Sequence, residues 1–202
     1  MPSNSPKFPQ AQRPSGRTGK LFGWLMGRLN RPAYRWTVDQ LKATSPKSIL
    51  EVGFGTGDLG KLIAQTLKPA KITGVDPSPL MVETAGKRLR RFAKKIDIDL
   101  HQGDDTSLPK DGTYDAVVAL HSFQFWSDPA KSLADIRSRL APGGKFVLVL
   151  RLHGRRAKLP NPLSRGGDEI SKACKALEDA GFTIRAMRGI SKSSHGIVAA
   201  SE

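Results

Sequence analysis

The segment Ser48-Ile-Leu-Glu-Val52 runs without a break into Gly-Phe-Gly-Thr-Gly-Asp-Leu-Gly, residues 53–60. A short, near-continuous apolar run is the pattern of a parallel strand covered on both faces. Glycines directly after it demand a tight turn. From Asp58 onward, Leu59, Leu62, Ile63 and Leu67 recur at helical spacing. Strand, glycine turn and helix in that order begin a βαβ unit.

The same alternation continues along the chain. KITGVD is a second strand, IDIDLHQGD a third, YDAVVALHS a fourth and KFVLVLR a fifth, the last preceded by an APGG turn. Between them, SPLMVETAGKRLRRFAKK reads as a helix through Lys95, with Leu80, Met81, Ala85 and Leu89 on one side. DPAKSLADIRSRL is a helix with Asp128 as N-cap before Pro129. DEISKACKALEDAG is a helix stopped by Gly181. FTIRAMRGI and HGIVAAS are strands joined by SKSS, and so short a link makes an antiparallel hairpin. Ahead of the first strand, RPAYRWTVDQLKAT is helical with Pro32 in its first turn, and LFGWLMGRL carries Leu21, Trp24, Leu25 and Leu29 at helical spacing.

The predicted architecture is an α/β fold: a three-layer, doubly wound Rossmann-like sheet, mostly parallel, ending in a C-terminal antiparallel hairpin. Residues 1–20, basic and rich in Pro and Gly, read as a disordered tail. Residues 21–202 form a single domain, with the N-terminal helix as a lid over the site.

Lys and Arg total 33 against 18 acids, a formal net charge of +15. That balance draws polyanions: nucleic acid, an anionic lipid surface or an acidic substrate. The single cysteine, Cys174, rules out an internal disulfide framework and a Cys-rich zinc site. No metal is expected, and a reducing, cytoplasmic setting is. No apolar run reaches the roughly 18 to 20 residues that span a bilayer.

GTGDLG fits the dinucleotide fingerprint G-x-G-x-x-G, while GFGTG fits G-x-G-x-G. Both spacings solve one problem, a turn whose backbone N–H groups face a ligand at a helix N-terminus. Asp76, at the end of the second strand, stands where a carboxylate accepts hydrogen bonds from a ribose diol. It also disfavours a 2′-phosphate. Its rival role is as N-cap of the helix after Pro77. Glu51, one residue before Val52 and the glycines, would repel a pyrophosphate but suits a cation. Asp104, after the third strand, is placed to reach an adenine amino group, or serves as a turn acid. Three acids around one crevice favour a cationic adenosyl ligand over a dinucleotide.

ILEVGFGTGDLG, ITGVDPSPLMVETAGKR, GDDTSLP, YDAVVALHSFQFWSDP and LAPGGKFVLV together resemble the successive motifs of class I S-adenosylmethionine-dependent methyltransferases, over about residues 31 to 202. The likeness is to the small-molecule branch that includes ubiquinone and menaquinone C-methyltransferase-like proteins. It implies S-adenosylmethionine as cofactor, with Glu51, Gly53, Gly55 and Gly57 facing its methionine part. Asp76 would hold the ribose, Pro77 and Met81 would flank the adenine, and Asp104 would bind its amino group. Asp105 and Leu120 complete the cofactor set.

The acceptor site should lie at the carboxyl ends of the fourth and fifth strands, where His121 and His153 are the candidate bases. His101 and His195 read as surface or structural, and Cys174 as core. Phe123, Phe125, Trp126, Tyr34 and Trp36 offer an apolar acceptor pocket or ordinary core. The expected function is methyl transfer to a small, lipophilic or lipid acceptor. The alternatives are an RNA methyltransferase, suggested by the charge and the loop RLHGRRAKLPNPLSR, and a non-catalytic S-adenosylmethionine-binding protein. KLFGWLMGRL and its basic surroundings add peripheral docking on an anionic membrane.

Overall fold

The computed structural model describes residues 27–110, 112–152 and 167–201. The tail, most of LFGWLMGRL, His153 and the basic loop after it lie outside the described residues. Residues 27–29 are helical. The elements that follow are α1 (Arg31–Lys42), β1 (Ser48–Val52), α2 (Asp58–Thr66), β2 (Lys71–Asp76) and α3 (Pro79–Leu89). Next come β3 (Asp97–Gln102), β4 (Tyr114–Leu120), α4 (Pro129–Ser138), β5 (Leu140–Arg151) and α5 (Gly167–Asp179). The hairpin β6 (Phe182–Ser191) and β7 (Ser194–Ser201) closes the chain.

These strands form one seven-stranded sheet in the order β3-β2-β1-β4-β5-β7-β6. The first five run parallel, and β7 is antiparallel to both β5 and β6. The chain winds outward from β1 to β3, then returns to β4 and winds the other way. Beside β1 the direction reverses, which opens a crevice above the carboxyl ends of the strands.

Because side chains alternate along a strand, each strand feeds two cores. Leu50, Val52, Val117, Phe146 and Leu148 pack beneath α4 and α5, around Leu133, Ile136 and Leu177. Ile49, Ile72, Val118, Val147 and Val149 pack beneath α1 and α2, around Leu41, Leu59 and Ile63. The α1 helix is held there by buried Ala33, Trp36, Thr37, Val38 and Leu41. Its Trp36 ring lies on Gly196 of β7 so closely that a Cβ there would stand 2.3 Å from the ring.

Local expectations hold at most boundaries. Asp128 caps α4 by accepting from Lys131 N at 3.1 Å, and Gly181 adopts φ 80° just after α5. Two elements differ. The α3 helix stops at Leu89, followed by a single 3-10 turn at Arg90–Phe92. Leu89 is its last fully buried apolar residue, and beyond it only Phe92 among the cations packs on the core. APGG does not precede β5 but lies inside it as a bulge: Tyr114 pairs with Leu140, and Ala116 with Lys145. Gly143 there takes φ 74°, the left-handed conformation that glycine accommodates.

Candidate active site

The glycine turn is built from three left-handed residues, with φ 82° at Gly53, 53° at Gly55 and 72° at Gly57. Each has its own constraint. A Cβ on Gly53 would stand 2.6 Å from Ser122 Cβ, and the Ser122 hydroxyl donates to Val52 O at 2.7 Å. A Cβ on Gly57 would stand 2.8 Å from Ala85 Cβ. Above Gly55 there is no atom within 4 Å, so backbone conformation alone demands glycine and the space above is open. Gly57→Ala is expected to destabilise the fold by about 2 kcal/mol or more, since the left-handed penalty of roughly 1 to 2 kcal/mol adds to the clash with α3. Denaturant unfolding measures this, and wild-type stability would refute it.

The carboxyl ends of the strands carry charge in a definite order. Asp76, ending β2, is 6% exposed. Its Oδ2 accepts from Gly55 N at 2.7 Å and its Oδ1 from Ser78 N at 2.9 Å. Burial pushes its carboxyl up to about 6, with those two N–H groups opposing. The capping role falls to Ser78, whose hydroxyl accepts from Met81 N at 3.4 Å. Asp76 is therefore a brace for the glycine loop rather than a helix cap.

Glu51 is 4% exposed. Burial, then the nearby Asp76 and Asp58 carboxylates, push it up to about 8, while the Gly60 N–H opposes. Asp104, after β3, accepts from Thr106 N at 3.0 Å, Thr106 Oγ1 at 2.7 Å and Ser107 Oγ at 3.0 Å. These bonds hold it below the usual carboxylate range. Asp105 differs from the expectation: it is buried, and Ser132 Oγ of α4 donates to it at 2.5 Å. That bond fastens the β3–β4 loop to α4. Met81 is buried against Phe54 and Ala85, Pro77 is half-buried beside Asp76, and Leu120 ends β4 in the α1-side core.

His121 follows β4 with φ 57°, unusual for a residue with a side chain. Arg151 Nη2, at the end of β5, lies 2.9 Å from His121 Nδ1. A guanidinium only donates, so Nδ1 accepts and the ring proton sits on Nε2. Nε2 then donates to Ser194 Oγ at 3.0 Å. Burial, reinforced by Arg151, drives His121 well below its ordinary pKa. Both ring nitrogens are thus engaged, and burial favours the neutral ring. Arg151 Nη2 also donates to Asn30 Oδ1 at 2.6 Å. Asn30 bonds the Tyr34 phenol, whose pKa burial raises.

Sequence reasoning missed Arg151, Asn30 and Ser194; the signal available for Arg151 was a cation directly after an apolar strand. The five aromatics do not form one pocket. Trp36 and Tyr34 belong to the core beneath α1, Trp126 and Phe123 to the core beneath α4. His101 is exposed and 2.8 Å from Asp99. His195 has a buried Nε2 with no hydrogen bond among the described residues. Cys174 Sγ contacts Met187 Sδ at 3.4 Å.

The donor set fits a cationic adenosyl ligand: an open glycine turn, a brace carboxylate with lone pairs to spare, and a buried Glu51 with no compensating cation among the described residues. Fold and site thus define a Rossmann-like protein for an adenosyl cation. A family model described as a methyltransferase domain matches residues 49–144. The chain is 32% identical over 132 residues to an uncharacterized methyltransferase, YdaC, of Bacillus subtilis, covering 65% of this chain and 71% of that one. It is 33% identical over 119 residues to a demethylmenaquinone methyltransferase of Thermus thermophilus, covering 57% and 53% respectively. The chain thus spans about half the length of that relative. A solved S-adenosylmethionine-dependent methyltransferase of Aquifex aeolicus shares the fold with TM-score 0.64, at 21% identity over 75% of this chain and 80% of that one.

The chain belongs to the class I S-adenosylmethionine-dependent methyltransferases, and S-adenosylmethionine is its cofactor.

Proposed function

We propose that the protein methylates a small, lipophilic acceptor bound over the ends of β4 and β5. The observation that carries this reading is the polarity of the crevice. Carboxyls of Asp104, Asp76 and Glu51 stand at the ends of β3, β2 and β1, while His121 and Arg151 stand at the ends of β4 and β5. The acidic half suits the cofactor, leaving the other half for the acceptor. The likeness to demethylmenaquinone methyltransferases supports a lipophilic acceptor.

When bound, S-adenosylmethionine supplies a methyl already activated on a sulfonium, with a neutral thioether as leaving group. The protein's own contribution is placement. The Gly53–Gly57 turn offers N–H groups, Asp76 takes the ribose hydroxyls on its unused lone pairs, and Glu51 receives the ammonium. Met81 and Pro77 flank the adenine and Asp104 accepts from its amino group. His121, bonded at both ring nitrogens, keeps Arg151 oriented.

A transfer assay with methyl-labelled cofactor should compare a lipid extract, a small-metabolite extract and total RNA. Label is expected in the lipid or small-metabolite fraction. Label entering RNA alone would overturn the small-acceptor reading in favour of the one the +15 charge suggests.

A further inference from the structure

Arg151 is largely buried, and no acid among the described residues pairs with it. Burial lowers its basicity, and the one charge that offsets this effect is the Tyr34 phenol. Among the described residues, its hydrogen bonds all leave from Nη2, to Asn30 Oδ1 and His121 Nδ1. Nη1 and Nε bond none of the described residues. Taking a guanidinium out of water without a counter-charge costs stability, several kcal/mol for a fully buried one. An Arg placed only to tether α1 to β5 would be served better by a neutral side chain.

We propose that Arg151 is a recognition residue for an oxyanion on the methyl acceptor: an ionised phenol or enol, or a carboxylate. The inference rests on the methyltransferase reading of the crevice and adds the charge state of the acceptor. Its place is right. The glycine turn and Asp76 commit β1 and β2 to the cofactor, and Arg151 stands beyond them, at the end of β5 beside His121. Its neighbours are right as well. Asn30 and the neutral His121 fix one corner of the fork and bring no negative charge to compete. Nη2 spends both its hydrogens on Asn30 and His121, which leaves the two N–H groups of Nη1 to meet an oxyanion. The acids of the cofactor half lie at the ends of β1, β2 and β3, so an anion is repelled from that half and drawn to this one.

The test uses the full chain with S-adenosylhomocysteine bound, and three small probes: 4-nitrophenol, benzoate and the neutral 4-nitroanisole. Binding is read by calorimetry, and the ionisation of 4-nitrophenol by its absorbance. In the wild-type protein the bound phenol should ionise about one pKa unit lower than in water, the effect of a nearby cation. Arg151→Gln should abolish that shift and weaken anion binding by about tenfold or more, while leaving S-adenosylhomocysteine affinity and 4-nitroanisole binding unchanged. Arg151→Lys, which keeps the positive charge, should retain the shift and bind either anion more tightly than Arg151→Gln. Preference for 4-nitrophenolate or for benzoate assigns the oxyanion to a phenol or to a carboxylate. If the bound phenol shows no shift in wild type, or Arg151→Gln binds both anions as tightly, the inference falls while the cofactor site stands. Failure of S-adenosylhomocysteine itself to bind would overturn both.

Discussion

Replacing Asp76 by alanine is expected to weaken S-adenosylmethionine binding by about a hundredfold or more. The carboxylate has two tasks that alanine loses together. It accepts from Gly55 N and Ser78 N, which fixes the glycine turn in its left-handed course. A carboxylate offers about four lone-pair sites, so two remain for the ribose diol. Hydrogen bonds to a charged group contribute roughly 1.5 to 3 kcal/mol each, and losing both to the ribose costs about 3 kcal/mol before any slackening of the turn. Asp76→Asn separates the tasks, since its amide oxygen can keep one backbone bond while its NH2 group cannot accept the other. Calorimetry should rank the proteins wild type, Asn, Ala. Equal affinity in all three would remove Asp76 from the ribose site.

Glu51→Gln is expected to stabilise the ligand-free protein at pH 8 while weakening its hold on S-adenosylmethionine by about tenfold. An unfolded glutamate ionises near 4.5, whereas folded Glu51 ionises only near 8. Between those values the native state keeps a proton that the unfolded chain has released, so stability falls as pH rises, by up to about 1.4 kcal/mol per pH unit. Below 4.5 the penalty is absent, and above 8 it is constant. Asp76 adds a penalty of the same sign between 3.8 and about 6. Glutamine escapes the Glu51 share, and thermal melts should show its advantage at pH 8 and not at pH 4.5. A cationic ligand reverses the situation. It favours ionised Glu51, so wild-type binding near neutral pH should release a proton, visible as buffer-dependent binding heats. A Glu51→Gln variant that melts like wild type at pH 8 and releases the same proton would sink this account.

Both predictions concern groups that could be located from the sequence, because the glycine turn is a local object. Gly53, Gly55 and Gly57 follow their strand directly, and Glu51 precedes them by two positions in the same extended segment. Asp76 required one more step, the assumption that β2 lies beside β1. The pairing Val52↔Val75 fulfils it. The same reasoning could not place the side chain of Asp105, one residue from Asp104. A loop does not alternate as a strand does, and only the position of Ser132 on α4 turns Asp105 away from its neighbour's task.

His121 marks the limit more sharply. As one histidine after an apolar strand it reads as a base, yet Arg151 lies 30 residues away in sequence and Ser194 lies 73 away. Strand order puts β5 between β4 and β7, and register sets Arg151 opposite Ser194. Gly196 is similar: nothing in HGIVAAS announces that the Trp36 ring will lie on it.

The sequence by itself determined the alternation of strands and helices, the glycine turn, and the acids that belong to it. These follow from side-chain period and backbone sterics, which act within a few residues. The tertiary structure alone decided that both His121 nitrogens are bonded, that Asp105 accepts from Ser132, and that Arg151 stands beside His121 with no acid paired to it among the described residues. Protonation and pairing depend on burial and on partners across the sheet, and sheet order and register bring those together from distant parts of the chain.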